Sequence, residues 1–497
     1  MIKSTNFKLN KFCINTLTYI SNNITQLNNP IKYHNYYFNN NWNKHYDKIF
    51  NLFCYMQNNL KQLILLNNND LINNHIINTF KWSNIEHIYP YTYLLYKETN
   101  PDITYELFSI EYNKSKINVK NYNYKNYIES NIRQFENYLK PNAEIIKLLN
   151  NLQNGRFISL DIKLYIENNI NACDIYNFLH LDLYFFYLNT IDLKIKQELI
   201  LHIYIVSKWI YDINPISKIK FIYFDTPLTK KYNIDSDIEF RYLSPQNVNS
   251  GLSSKSFFDN YLSLWRREEI FKVLIHELIH YLNIDVKYDR LFLNIQKQVG
   301  KINYPILINE TITELQTQLF HTIYITTLLN IKNNLNDSIE SKDTIESKDT
   351  IKESFELFKL LYNYELIFSW YQFAKIMNFY QIYEFKFDNL QNNFNQSSNI
   401  YSYYILKAIL SIHFGDIIFE LDHIIAMYKY KLNLIDYTLK NISNVNLNKS
   451  CNVHNCIILV QNITKQINKP NVKFINKVIK NLKLSDNSLK MTIFGKY

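Results

Sequence analysis

The stretch with the densest chemistry in this chain is His276-Glu277-Leu278-Ile279-His280. On a helix, imidazoles four positions apart project from one face and can share a single ion, while Glu277, offset around the helix, reaches a water beside that ion. This is the arrangement a zinc-dependent hydrolase needs. With 12 His and 44 Asp plus Glu among 497 residues, chance supplies only about 0.03 such matches. A hydrolytic zinc takes three protein ligands and keeps one position for water, so a third ligand is required. The extended motif H-E-x-x-H-x-x-G-x-x-H does not provide it, because positions 283 and 286 are Asn283 and Val286. Asn309-Glu310-Thr311-Ile312-Thr313-Glu314 offers two carboxylates one helical turn apart. Glu310 can complete the coordination, and Glu314 can accept the free ring N–H of a ligand histidine and fix its tautomer. Asp285, just past the end of the motif helix, reads equally as a hydrogen-bond partner of the ligand set or as a plain turn residue. The bland alternatives are a pair of satisfied core histidines and, for Glu310 and Glu314, a solvated helix face.

Those residues resemble a family. His276-Glu277-x-x-His280 followed by Asn309-Glu310-x-x-Thr313-Glu314 is similar to the gluzincin metallopeptidases, the thermolysin-like group with two His and a Glu on zinc. More narrowly, Asn247-Val248-Asn249-Ser250-Gly251 and then Arg267-Glu268-Glu269-x-Phe271-Lys272-Val273, running into the motif, resemble metallopeptidases of large eukaryotic DNA viruses. The resemblance covers roughly residues 245–315. It implies His276, His280 and Glu310 as ligands of a Zn2+ cofactor, Glu277 as general base and a polypeptide as substrate. The gap between His280 and Glu310 is longer than in the thermolysin-like enzymes, which leaves an extra loop, 285–305, near the site. In such a mechanism zinc polarises the scissile carbonyl and acidifies a water, and Glu277 takes the water proton and delivers it to the leaving amine. An oxyanion donor from outside the motif is also expected, with Tyr403, Tyr404 and His413 as candidates. Two other classes stay open: a catalytically inactive zincin-fold scaffold protein of a virion, and a basic nucleic-acid-binding protein. Glu277 speaks against the first, because a purely structural zinc needs no base beside it.

Elements must hold these residues in place. Residues 266–283 contain strong helix formers and no Gly or Pro, with Glu268 and Glu269 where a helix N-terminus favours anions. The centre of this run, 270–282, is apolar on nearly every face, which predicts a buried helix. A second helix is expected just past Pro305, over 306–334. Short Ile-, Tyr- and Phe-rich runs at 219–224, 239–243 and 261–265 read as strands of a small, mostly antiparallel sheet. The segment 239–251 is then a candidate site of strand addition by a peptide. Residues 1–210 read as mainly helical, with apolar clusters at 179–188 and 199–206. The twice-repeated IESKDT at 339–350 builds no apolar face and reads as a solvated loop. The expected organisation is therefore an N-terminal helical region (1–210), a zincin-like core (211–335), a low-complexity loop (336–354) and a helical C-terminal region (355–497) whose tail beyond 441 is a satellite. The fold class is α+β and predominantly helical.

Composition narrows the alternatives. The 5 glycines fall at no spacing of a P-loop, a dinucleotide-binding loop or a nucleophile elbow. The net charge of +10 invites a nucleic-acid reading, but the lysines are dispersed and arginine is scarce, which argues against a nucleic-acid partner. Abundant Asn, Ile, Tyr, Phe and Lys share AT-rich codons and explain the charge without a dedicated patch. The 5 cysteines suit an intracellular, reducing compartment, host cytoplasm or virion for a viral protein. The Cys451-x-x-His454-x-Cys456 cluster lacks a nearby fourth ligand. The long uncharged stretches carry too many polar residues for membrane spans, so no membrane association is expected. Oligomeric state is not legible.

Overall fold

The computed structural model describes residues 42–68, 83–85, 105–111, 154–162, 179–187, 193–213, 219–225, 227–232, 241–255, 260–285, 307–337, 348–382, 394–411 and 487–494. In chain order the elements are α1 (Tyr46–Asn68), β1 (Ser83–Ile85), β2 (Tyr105–Glu111), β3 (Asn154–Ile162), β4 (Leu179–Tyr187), α2 (Leu193–Tyr211), β5 (Ile219–Asp225), β6 (Gly251–Lys255), β7 (Asn260–Leu264), α3 (Ile270–Tyr281), α4 (Ile308–Asp337) and α5 (Lys348–Phe379). A π-helical turn, Tyr401–Leu406, and a short helix, Lys407–Leu410, follow. The described chain is mostly helical. It divides into two compact units, one of Gln62–Thr229 and Asn249–Asn283, the other of Met1–Lys61, Lys230–Val248 and Ile284–Lys496.

In the first of these units β6 and β7 form an antiparallel pair, in register from Gly251 opposite Leu264 to Lys255 opposite Asn260. The pair packs on α3, as the sequence predicts for the motif helix. The sheet runs further, in the order β1-β2-β3-β4-β5-β7-β6, with β2–β3, β4–β5 and β5–β7 parallel. It is thus larger and more mixed than expected. The expected strands at 219–224 and 261–265 appear as β5 and β7. The run at 179–188 is strand and not helix over Leu179–Tyr187: its first five residues alternate as LHLDL, a period of two that the aromatic run after them conceals. Of the expected strand 239–243, the described part is irregular and only Leu243 makes a bridge, to Gln396. Residues Pro245–Val248 form a single helical turn.

The motif helix starts later than the sequence suggests. Glu269 takes a left-handed conformation, φ 60°, which turns the chain out of β7 so that α3 begins at Ile270. Glu268 and Glu269 therefore precede the first turn. That conformation costs a side-chain-bearing residue about 1–3 kcal/mol, and burial of Glu269 within the unit holds it there. At the other end Leu282 N–H donates to Leu278 O at 2.8 Å and Asn283 N–H to His280 O at 3.1 Å. Asn283 then turns left-handed, φ 54°, the C-terminal stop that asparagine makes best after glycine.

The other unit is helical. Trp42, Phe53, Phe355, Phe358 and Tyr362 cluster with ring centroids 4.9–6.2 Å apart between α1 and α5. Helix α5 begins at Lys348, inside the second IESKDT copy, so the loop expected to reach 354 ends sooner. Of the tail beyond 441 only 487–494 lie among the described residues, and there Leu489, Met491, Ile493 and Phe494 are core residues and no satellite. Among the described residues no helix is long and apolar enough to cross a membrane.

Two outcomes follow from this packing. Phe355→Ala empties the centre of the aromatic cluster and should lower stability by about 3–5 kcal/mol, measured by denaturant unfolding at constant m. His202 on α2 lies against Phe271, ring centroids 5.8 Å apart, and burial pushes its pKa down to about 4. The unfolded chain protonates this group near 6.5. From about pH 6.5 down to about 4 the unfolded state alone takes the proton, so stability falls with pH across that window and the loss levels off below it. His202→Phe should flatten that part of the stability profile.

Candidate metal centre

Helix α3 is buried on almost every face; of its residues, His280 alone falls outside the buried set. Leu274, Ile275, Leu278 and Ile279 are fully buried, each contributing about 1.5–3 kcal/mol of apolar burial. They pin the helix against β6, β7 and α2, and so fix where its polar residues point. His276 and His280 bring their Nε2 atoms to 3.2 Å, with the rings steeply inclined at 77°. Two imidazole nitrogens at zinc-ligand distance on a tetrahedral ion lie about 3.3 Å apart. The pair is therefore spaced for two corners of one tetrahedron. The same separation suits an N–H···N hydrogen bond between neutral rings of opposite tautomers, and metal analysis separates the two.

Glu277, also buried, sits against the first residue of β6. A Cβ on Gly251 would come within 2.7 Å of both Cγ and Oε1 of Glu277, and within 2.6 Å of Leu264 Cδ2. The glycine is required for close approach, and this is the signal that sequence reading caught only as a turn glycine. The carboxylate is thereby set at the head of β6, the terminal strand in the sheet order. The candidate for strand addition accordingly moves from 239–251 to β6, because Pro245–Val248 is helical.

Glu310 and Glu314 belong to the other unit. Both lie on α4, Glu310 half-buried in the first turn. Glu314 is 1% exposed and faces Lys407, Nζ to Oε2 3.4 Å, so a solvated face is excluded for it. Helix α4 is buried along much of its length despite its many polar residues. Thr322, Thr326 and Thr327 return their hydroxyls to the carbonyls of Gln318, Thr322 and Ile323 at 2.7–2.8 Å, which satisfies them without a partner helix.

The tyrosine candidates fall in the π-helical turn, a distortion that sequence does not announce and that often accompanies function. Tyr404 donates its hydroxyl to Leu489 O at 2.6 Å. That engages its one proton and takes it out of consideration as an oxyanion donor in this arrangement. Tyr403 is half-buried in the same turn, its N–H bonded to Asn399 O. Asp285 is half-buried in the turn after α3. His413 and the Cys451, His454 and Cys456 cluster lie outside the described residues. Cys54 is a free cysteine whose thiol burial pushes up to about 11, which leaves it a poor nucleophile.

Gly251→Ala should displace Glu277 while leaving the two imidazoles in place. The expected outcome is unchanged metal stoichiometry with a loss of any Glu277-dependent activity of about tenfold or more; equal loss of metal and activity would mean that the helix itself had moved. No family model matches the chain, and comparison with curated proteins and with solved structures gives no match either.

Proposed function

We propose that this protein is a zinc-dependent metallopeptidase of the gluzincin kind. The observation that carries the reading is the His276–His280 pair, with ring nitrogens 3.2 Å apart on a buried helix whose next polar residue is Glu277. The proposed ligands are His276, His280 and Glu310, two imidazoles and a carboxylate, the chemistry zinc takes in hydrolytic sites. When bound, zinc supplies Lewis acidity to a carbonyl oxygen and lowers the pKa of water. Glu277, fixed against Gly251, is the proton carrier: it accepts the proton of the attacking water and passes it to the departing amine. The edge of β6 offers backbone groups to an extended substrate beside that carboxylate. Tyr403 is the remaining described candidate for stabilising the oxyanion, and Glu314, neutralised by Lys407, steadies α4 beneath Glu310.

The test couples two readouts. Wild type should bind one zinc and cleave an unstructured protein substrate. Glu277→Gln should keep the zinc and lose cleavage by about 10²–10⁴-fold, whereas Glu310→Ala should lose zinc affinity. Zinc without Glu277-dependent cleavage would select a scaffold role, and a wild type that takes up no zinc would end the proposal.

A further inference from the structure

Residues 487–490 run into the interior of the helical unit, the chain turns at Ile493 and Phe494, and the backbone of this segment is held in two ways. Part of the pairing is strand-like: Tyr232 N–H donates to Asn487 O at 3.1 Å and Leu489 N–H to Lys230 O at 2.8 Å, around an isolated antiparallel bridge between Lys231 and Ser488. Beyond that pairing, buried side chains meet the carbonyls. Lys375 Nζ donates to Ser488 O, Tyr404 Oη to Leu489 O at 2.6 Å, Gln372 Nε2 to Lys490 O at 2.7 Å and Lys407 Nζ to Met491 O at 3.2 Å. Four successive carbonyls are thus each met by a different side chain. Glu365, fully buried, then accepts the hydroxyl of Thr492 and the N–H of Ile493 at 3.2 Å.

These donors recognise a polypeptide backbone and not particular side chains. Specificity is left to the burial of Leu489, Met491, Ile493 and Phe494, to Lys230 Nζ, which donates to Met491 Sδ at 3.2 Å, and to the Glu365 contact with a hydroxyl. Lys375 and Lys407 are 0% and 2% exposed. Burying an ammonium group is unfavourable unless it is given acceptors, so the interior is organised around peptide carbonyls. Without the segment, each lysine would forfeit one of them.

We propose that this unit contains an interior channel that binds an extended polypeptide through its main chain, and that residues 487–494 are its resident ligand, held by non-covalent contacts that survive loss of their chain connection. The ligand class is an extended segment with apolar residues at the positions of Leu489, Met491 and Ile493 and a hydroxyl residue at that of Thr492. None of the channel's donors is a zinc-ligand candidate, although Lys407 also faces Glu314 on α4; Lys375, Gln372 and Tyr404 take no part in the metal proposal.

The test uses the full chain with a site-specific protease sequence inserted just before Asn487. After cleavage, the terminal fragment should co-migrate with the body on gel filtration and exchange with a fluorescent synthetic peptide of sequence 487–497. Lys375→Met or Tyr404→Phe should weaken that peptide's binding about tenfold, the worth of one lost buried hydrogen bond. A Ser488→Ala peptide should compete as well as the parent, and a Met491→Asp peptide should fail. The proposal is overturned if the fragment is lost while the body stays folded, or is retained and never exchanges. It is equally overturned if the body unfolds on cleavage and added peptide does not restore it, or if the channel variants bind peptide unchanged.

Discussion

A helix buried on almost all sides tolerates imidazoles and a carboxylate only where each is placed against something that satisfies it, because an unsatisfied buried polar group costs more than most packing contacts return. Helix α3 turns His276 and His280 toward one point, 3.2 Å apart, and places Glu277 in the space that a side chain on Gly251 would need. Everything around it serves that placement: the left-handed turns at Glu269 and Asn283 set where the helix begins and ends, and the β6–β7 pair sets what lies behind it.

The same constraint shapes the other unit by a different route. Helix α4 buries a row of threonines that bond to their own backbone, and Glu314 is held opposite Lys407. The carbonyls of segment 487–494 are then met by side chains. Several polar groups of this interior are thus matched and not excluded.

The motif helix was legible because its signal is local: spacing, apolar flanks and absence of helix breakers all lie within one segment. So were β5, β7 and α4, whose limits fall within a few residues of those read from composition. What the sequence concealed depends on distant partners. Leu179–Tyr187 reads as an apolar cluster until its pairing with β3 and β5 makes it a strand. Gly251 reads as a turn residue until Glu277, far along the chain, is seen to occupy the space of its missing side chain. Tyr404 reads as a candidate oxyanion donor until the carbonyl of Leu489 is found on it, and nothing near 487–494 in the sequence announces an interior segment.

The central claim is that His276 and His280 converge on a metal ion, and X-ray absorption at the zinc edge of the zinc-loaded full chain tests it most directly. The account predicts a shell of nitrogen and oxygen at about 2.0–2.1 Å with the outer scattering of two imidazoles, and loss of one imidazole in His280→Ala. A sulfur shell at about 2.3 Å, or a zinc environment unaltered by that substitution, would contradict it.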